Sequence, residues 1–520
     1  MLPILLTMLL LPVIGAPVIY VAGRKSAKSA ATIIAIIALV DLALVLYTVP
    51  AVLNNADHMY HEPYVWIPVI NSEFTLFMDG LSLSMEIITT VLMLVAVLYS
   101  INYMKDKKNL GSYYALLSLL FVGLVGVFIS SNLLFFYFCW ELMLVPAFFI
   151  VGGWGYKESY RASFKFFIFT HAGAVFVLLG IGAIYMLTNS LDFFTAQTAL
   201  FNANADIIKW VLLTLTAGFA VKMAIFPVHL WLPDAYAEAP APMSALLGGV
   251  LTSAGAYAII RISINTVLPP LMQLAPTFGI DFLHGLAIFG VISAFFGSFI
   301  ALAETDMKRI IAYSSISHMG YILFGVSLYP ASLASAGTVV VIAMTGTILH
   351  VVTHALSKGL FFFSAGSVQT SLKLRNIKEM GGLAGKMPVT GTSSAIAALS
   401  LAGAPPFACF ISEFFIFMGA LQVIQGFGTF AGDAFFIIPT ALMLVATVFS
   451  LGYSLRFVST VFLGPSRTVE PAEGKQTAPK RKLEVPLLMQ VSMVILVVLV
   501  IIIGIYPGIF TTLLNTLPIP

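Results

Sequence analysis

Apolar residues run along the chain in windows of about 18 to 25, the length a helix needs to cross the hydrocarbon of a bilayer. They predict fourteen spans near 3–22, 31–50, 80–104, 113–130, 133–154, 164–188, 208–227, 242–268, 282–303, 310–329, 335–369, 392–424, 435–463 and 486–514. The short connections between them alternate in basic content. Counting residues at span edges such as Lys165 and Lys209 with the adjoining loop, odd-numbered loops hold twenty of the 25 Lys and Arg residues and even-numbered loops hold Lys209 alone, so the positive-inside rule puts both termini on the outer side. The expected fold is all-α, a polytopic membrane protein of about 14 transmembrane helices. Residues 3–22 lack a basic leader, and Arg24, Lys25 and Lys28 follow them. The segment therefore reads as the first span of a chain in the cell membrane, not as a cleaved signal.

Two spans are interrupted. Lys222 stands five residues before Pro227 in the seventh, and Ala404-Pro405-Pro406 precedes Glu413 in the twelfth. Proline frees backbone groups that survive in lipid only where protein or cavity water satisfies them. Helices seven and twelve differ by five positions and so run in opposite senses, the pattern of two inverted five-helix repeats. The expected organisation is 1–112 for the first three helices and 113–268 for the first repeat, an input half-channel. The second repeat, an exit half-channel, takes 282–463, and 464–520 a cytoplasmic loop and the last helix.

Composition narrows the chemistry. Of 520 residues, 60% are hydrophobic and 9% charged, and the net charge is +3 without a basic run, which removes nucleic acid as a partner. Cys139 and Cys409 are too few for an iron–sulfur cluster, and no dinucleotide fingerprint, phosphate loop or HExxH occurs. No cofactor and no metal is expected in this chain. Function is then sought in charges inside the bilayer, each of which costs about 2.5–3.5 kcal/mol on insertion scales.

Glu141 and Lys222 are the complementary candidates, as a working pair or as a static ion pair that fixes packing. His350, His354 and Lys358 recur every four residues and share one stripe of the eleventh span, a proton relay or an ion-binding ladder. Zinc would need a further ligand that this stripe does not supply. His318, with its hydroxyl neighbours, can join the row, and Glu413 after the second break can load and release protons. Lys165 begins a span one helix away from Glu141. Asp41 and Glu86 rank lower, in early spans. Arg261 and Arg456 are read as snorkelling to an interface, His171 and His229 stay open, and His58 and His61 are read as solvated.

Two motifs resemble a known family. Pro227-Val228-His229-Leu230-Trp231-Leu232-Pro233-Asp234-Ala235-Tyr236-Ala237-Glu238-Ala239-Pro240 is similar to the signature loop of the antiporter-like membrane subunits of complex I, and the run Thr305 to Gly320 is similar to a second. Glu413 resembles the chain 4 (subunit M) type of proton-translocating NADH–quinone oxidoreductase, or its archaeal deazaflavin-dependent relative. The resemblance implies a fourteen-helix channel module with Glu141 and Lys222 on the input side and Glu413 at the exit. It also implies proton pumping coupled to electron transfer in partners: sister antiporter-like chains in the membrane arm and a peripheral redox arm with iron–sulfur clusters. The chain departs from the pattern at Leu251-Thr252-Ser253-Ala254-Gly255, where the M type usually has a lysine, and at Tyr236, where histidine is common. The His350, His354 and Lys358 ladder resembles the L-type sister and would supply the central link. The competing readings are a cation/proton antiporter subunit, a subunit of a membrane-bound hydrogenase, and a structural spacer.

Overall fold

The computed structural model describes residues 3–55, 57–70, 72–328, 338–425, 434–465 and 483–514. Within them thirteen helices are long and apolar enough to cross a membrane. In chain order these are α1 (Ile4–Lys25), α2 (Ala27–Asn54), α3 (Gly80–Tyr103), α4 (Leu110–Ile129), α5 (Leu133–Trp154), α6 (Ser159–Thr188), α8 (Ala241–Leu274), α9 (Pro276–Ala303), α10 (Met307–Ser327), α11 (Thr338–Leu372), the longer piece of a broken α12 (Ala408–Gln425), α13 (Ala434–Leu463) and α14 (Leu487–Ile505). Between α6 and α8 lies α7 (Ala205–Met223), of comparable length but carrying Asp206, Lys209 and Lys222. It completes the fourteen-span pattern. One element escaped the apolar-window reading: an antiparallel hairpin of β1 (Tyr60–Ile67) and β2 (Ser72–Met78) between α2 and α3.

Helix starts follow local polar chemistry. Asp79, Asn132, Asn204 and Asp306 each accept from a backbone N–H of the first turn, at 2.9 Å in the shortest case for each. Glu62 of β1 does the same from outside, accepting from Leu5 N and Leu6 N at 3.1 Å, which docks the hairpin on the start of α1.

Both predicted breaks are present. In α7 the helix stops at Met223, Ala224 turns left-handed at φ 60°, the Phe226–Pro227 bond is cis, and a short helix resumes at Leu232–Glu238. The freed groups are satisfied: Trp231 Nε1 donates to Val221 O at 2.9 Å, and Phe226 N donates to Ser293 Oγ at 3.1 Å. In α12 the pieces are Pro388–Leu401 and Ala408–Gln425, joined through a cis Pro405–Pro406 bond.

The helices are sorted by burial. α8 and α11 are buried throughout their central apolar stretches and α10 nearly so, while α6, α13 and α14 turn large apolar side chains such as Leu179, Ile438 and Ile505 outward. α9 and α10 meet through Gly290 and Gly320, where a Cβ would lie 2.9 and 2.5 Å from the facing carbonyl oxygen. α8 contains two π-helical stretches, Leu247–Leu251 and Ile259–Val267, on either side of the α-helical turn Thr252–Ala258.

Arg261, expected to snorkel, is instead 5% exposed. It pairs with Asp79 at 2.6 Å and lies over the rings of Phe77 and Tyr257. The buried carboxylate at the start of α3 holds it inside. Arg456 donates to the carbonyls of Leu302 and Glu304 at the end of α9. Asp41 and Glu86 are fully buried between early helices with no hydrogen-bond partner.

Candidate functional site

The site is built from the innermost helices. α10 carries His318, α11 carries His350, His354 and Lys358, and the second piece of α12 carries Ser412 and Glu413. All except Glu413 are fully buried, and Glu413 is 6% exposed. His318 Nδ1 and His350 Nε2 lie 3.2 Å apart. The other nitrogen of His350 meets Ser412 Oγ at 2.9 Å, and the other nitrogen of His318 meets Tyr453 OH of α13 at 3.3 Å. His354 stacks obliquely 5.4 Å from His318, centroid to centroid, with neither ring nitrogen bonded. Lys358 donates to Ile311 O at 3.1 Å and to Ser314 Oγ. The stripe foreseen on α11 is therefore joined by His318 from the next helix, and Glu413 completes it. One atom each from His318, His350 and Glu413 fall within 4.8 Å of one another.

Glu413 occupies the wall of a cavity of about 330 Å³ lined also by Ala402, Gly403, Phe410, Phe414 and Leu444. Gly403, at φ +66°, lies where the carboxylate rests: a Cβ there would come within 2.4 Å of Glu413 Oε2. Only glycine gives this left-handed turn room for the acid.

The other half differs from expectation. Lys222 is 1% exposed, donates to Trp140 O at 3.4 Å and lies 4.7 Å above the Trp140 ring. It makes no ion pair with Glu141. Glu141 Oε2 meets His171 Nδ1 at 3.0 Å, on a side where both are partly exposed. Lys222 therefore touches the backbone one residue before the acid, and the pair is adjacent but not closed. His171 was legible only as an isolated histidine, because its partner lies thirty residues away on another helix. Lys165 stands outside the buried row, bonded to Asp234 at 2.7 Å.

Between Lys222 and the histidine row lies α8, whose Gly255 touches the Met223 backbone and whose Gly249 touches Ala355 O. Its polar groups there are hydroxyls. Tyr236 OH donates to Leu247 O at 2.8 Å and lies 3.3 Å from Thr252 Oγ1, and Ser253 Oγ donates to Gly249 O.

The two sequence motifs meet on the side of the basic loops. Asp234 accepts from Lys165 and from Arg309, at 2.7 and 2.6 Å. Lys308, fully buried, donates to Ala239 O. Arg375 bridges Glu238 at 2.9 Å and Asp306 at 2.7 Å. Partial burial disfavours the charge of Arg375, but Asp306 and Glu238 outweigh it and raise its pKa. A polar cavity of about 300 Å³ opens among Glu158, Arg161, Asp234, Glu238 and Arg309. Single-residue reading missed this ring because its charges lie near loops, where solvated side chains are the usual case.

Fold and site together define a multi-pass helical membrane protein organised around a buried row of titratable groups and two broken helices. Residues 130–437 match the family described as NADH:quinone oxidoreductase/Mrp antiporter, TM, and residues 66–114 match NADH-ubiquinone oxidoreductase (complex I), chain 5 N-terminus. The chain belongs to the NADH:quinone oxidoreductase/Mrp antiporter membrane family. It is 31% identical to NADH-quinone oxidoreductase subunit M of Pseudomonas aeruginosa over 96% of its length and 94% of the relative's. It is also 31% identical to F(420)H(2) dehydrogenase subunit M of Methanosarcina mazei, over 89% and 88%. The fold is shared with a chain of respiratory complex I from Thermus thermophilus (TM-score 0.80, 21% identity, 98% of each chain). It is shared too with a chain of the Mrp complex from Dietzia sp. (TM-score 0.80, 22% identity, 99% and 97%).

Proposed function

We propose that this chain is the proton-translocating membrane-arm subunit of a complex I-like respiratory oxidoreductase, seated in the cell membrane with both termini outward. Sister antiporter-like chains and a peripheral iron–sulfur arm are its partners, and electron transfer occurs in them. The observation that carries the reading is the buried cluster of His318, His350, His354 and Lys358 ending within reach of Glu413. Groups this deep in a bilayer fold are expensive, and proton relays are one of the uses that account for them.

A charge signal arriving along the membrane arm acts on Glu141. When Glu141 leaves His171 and approaches Lys222, it holds a proton on the amine. When it returns to His171, that attraction weakens and Lys222 releases the proton. Water bridges the hydroxyl-lined stretch of α8, and the imidazoles pass the proton to Glu413, which discharges it outward. At roughly 150 mV the step costs about 3.5 kcal/mol per proton, within what moving one buried charge by a few ångströms supplies. Two imidazoles rather than a cage of oxygens face Glu413, which favours protons over sodium.

The test uses the intact complex in vesicles. Lys222→Ala and Glu413→Gln should each lower the number of protons moved per electron, with assembly retained. An unchanged ratio in both variants would refute the reading. An inventory of co-purifying chains that lacks iron–sulfur proteins would favour the antiporter alternative instead.

A further inference from the structure

The cluster at the outward end of the row has ligand chemistry beyond proton storage. Two nitrogens bound to one tetrahedral zinc ion, each about 2.0–2.1 Å from it, lie about 3.3 Å apart. His318 Nδ1 and His350 Nε2 are already 3.2 Å apart. The far nitrogen of each ring is oriented by a hydroxyl, Ser412 Oγ for His350 and Tyr453 OH for His318. Metal-bound histidines use such outer partners to fix their tautomer. Ser412 donates its own proton to Cys409 O at 2.9 Å, so its oxygen is free to accept from the imidazole.

A third ligand is at hand. One carboxylate oxygen of Glu413 and one ring nitrogen from each of His318 and His350 lie within 4.8 Å of one another, so coordination requires up to roughly 1.5 Å of closure. His354 stands next to this trio, both of its nitrogens buried without partners and its ring 5.4 Å from that of His318. Lys358 starts about 12 Å along the helix backbone from His350, and its ammonium is tied to Ile311 O and Ser314. It does not compete for the centre.

We propose that His318, His350 and Glu413, with His354 in the fourth position, bind a transition-metal ion of the zinc class, and that the bound ion blocks the outward end of the row. Imidazole-rich donor sets select such ions over magnesium and calcium, which take oxygen. The blocking half of the proposal rests on the proton-path reading; the binding half does not.

The experiment titrates the assembled complex in vesicles with zinc sulfate at buffered free concentrations. It reads zinc per complex by elemental mass spectrometry, zinc neighbours by X-ray absorption, and proton pumping on the same samples. His318→Gln and His350→Gln should each take up one zinc fewer per complex than the parent, and Glu413→Gln should bind at least tenfold more weakly. Ser412→Ala touches no metal and guards against misfolding: it should keep the stoichiometry and lose about tenfold in affinity. The difference spectrum between parent and His350→Gln should show nitrogen and oxygen neighbours near 2.0 Å. Equal zinc uptake by the parent and both histidine variants overturns the proposal. Zinc that fills the site and leaves pumping intact supports the metal centre and overturns the proton-path reading.

Discussion

Replacing Gly403 by alanine probes the Glu413 end of the row without removing any titratable group. The residue sits at φ +66°, and placing an L side chain in the left-handed region costs about 1–2 kcal/mol. The new methyl would also lie 2.4 Å from Glu413 Oε2 and 3.2 Å from its Cδ, well inside van der Waals contact, so the carboxylate must retreat by about 1 Å. Room for it is offered by the cavity beside Phe410 and Phe414, whose lining includes neither His318 nor His350. Gly403→Ala should therefore lower the stability of the assembled complex by more than the backbone cost of about 1–2 kcal/mol, read by denaturant titration. It should also bring the protons moved per electron down toward the Glu413→Gln value. Combining it with Glu413→Ala removes the clash and leaves only the backbone strain, so the two stability losses should fall short of additive. A Gly403→Ala complex that pumps at the parent ratio would show that the position of the Glu413 carboxylate does not matter to transfer.

Two further outcomes are expected away from the row. Asp79→Asn leaves Arg261 buried without its counter-charge and should cost about 3–5 kcal/mol, whereas Asp79→Leu combined with Arg261→Met should recover most of it; equal thermal stability of the single variant and the parent would contradict the buried pair at 2.6 Å. In the hairpin, partial burial and then the Glu62 carboxylate push Tyr60 and Tyr64 up to about 12 from 10. The neutral phenols are favoured in the folded hairpin, so this stabilisation is complete below pH 10 and is lost as pH rises through 12. Ultraviolet titration of the parent against a Tyr60→Phe, Tyr64→Phe double variant should place the missing absorbance change near pH 12, and Glu62→Gln should lower it; a midpoint near 10 in the parent would contradict the contact.

Much of the architecture is legible from local pattern because a bilayer imposes one rule on every segment: backbone groups must be satisfied within the helix, so apolar length alone marks a span. The breaks at Pro227 and Pro405-Pro406 are visible for the same reason, since proline cannot complete the helical ladder. The hairpin at Tyr60–Met78 is not, because strands outside the membrane escape a search for long apolar windows. On α11 the four-residue spacing of His350, His354 and Lys358 sufficed to put them on one stripe.

What the chain order could not decide is which charge answers which. Glu141 bonds His171 instead of Lys222, Arg261 turns inward to Asp79, and Asp234 gathers Lys165 and Arg309 from two other helices. These pairings depend on helix rotation and depth, set by close contacts such as Gly290 with Gly320 and Gly255 with Met223. Sequence by itself determined the number of crossings and the groups stranded within them, through solvation of the backbone and the cost of charge in oil. Tertiary structure alone decided the partners, because a hydrogen bond reaches about 3 Å and only the packing of distant helices brings two side chains that close.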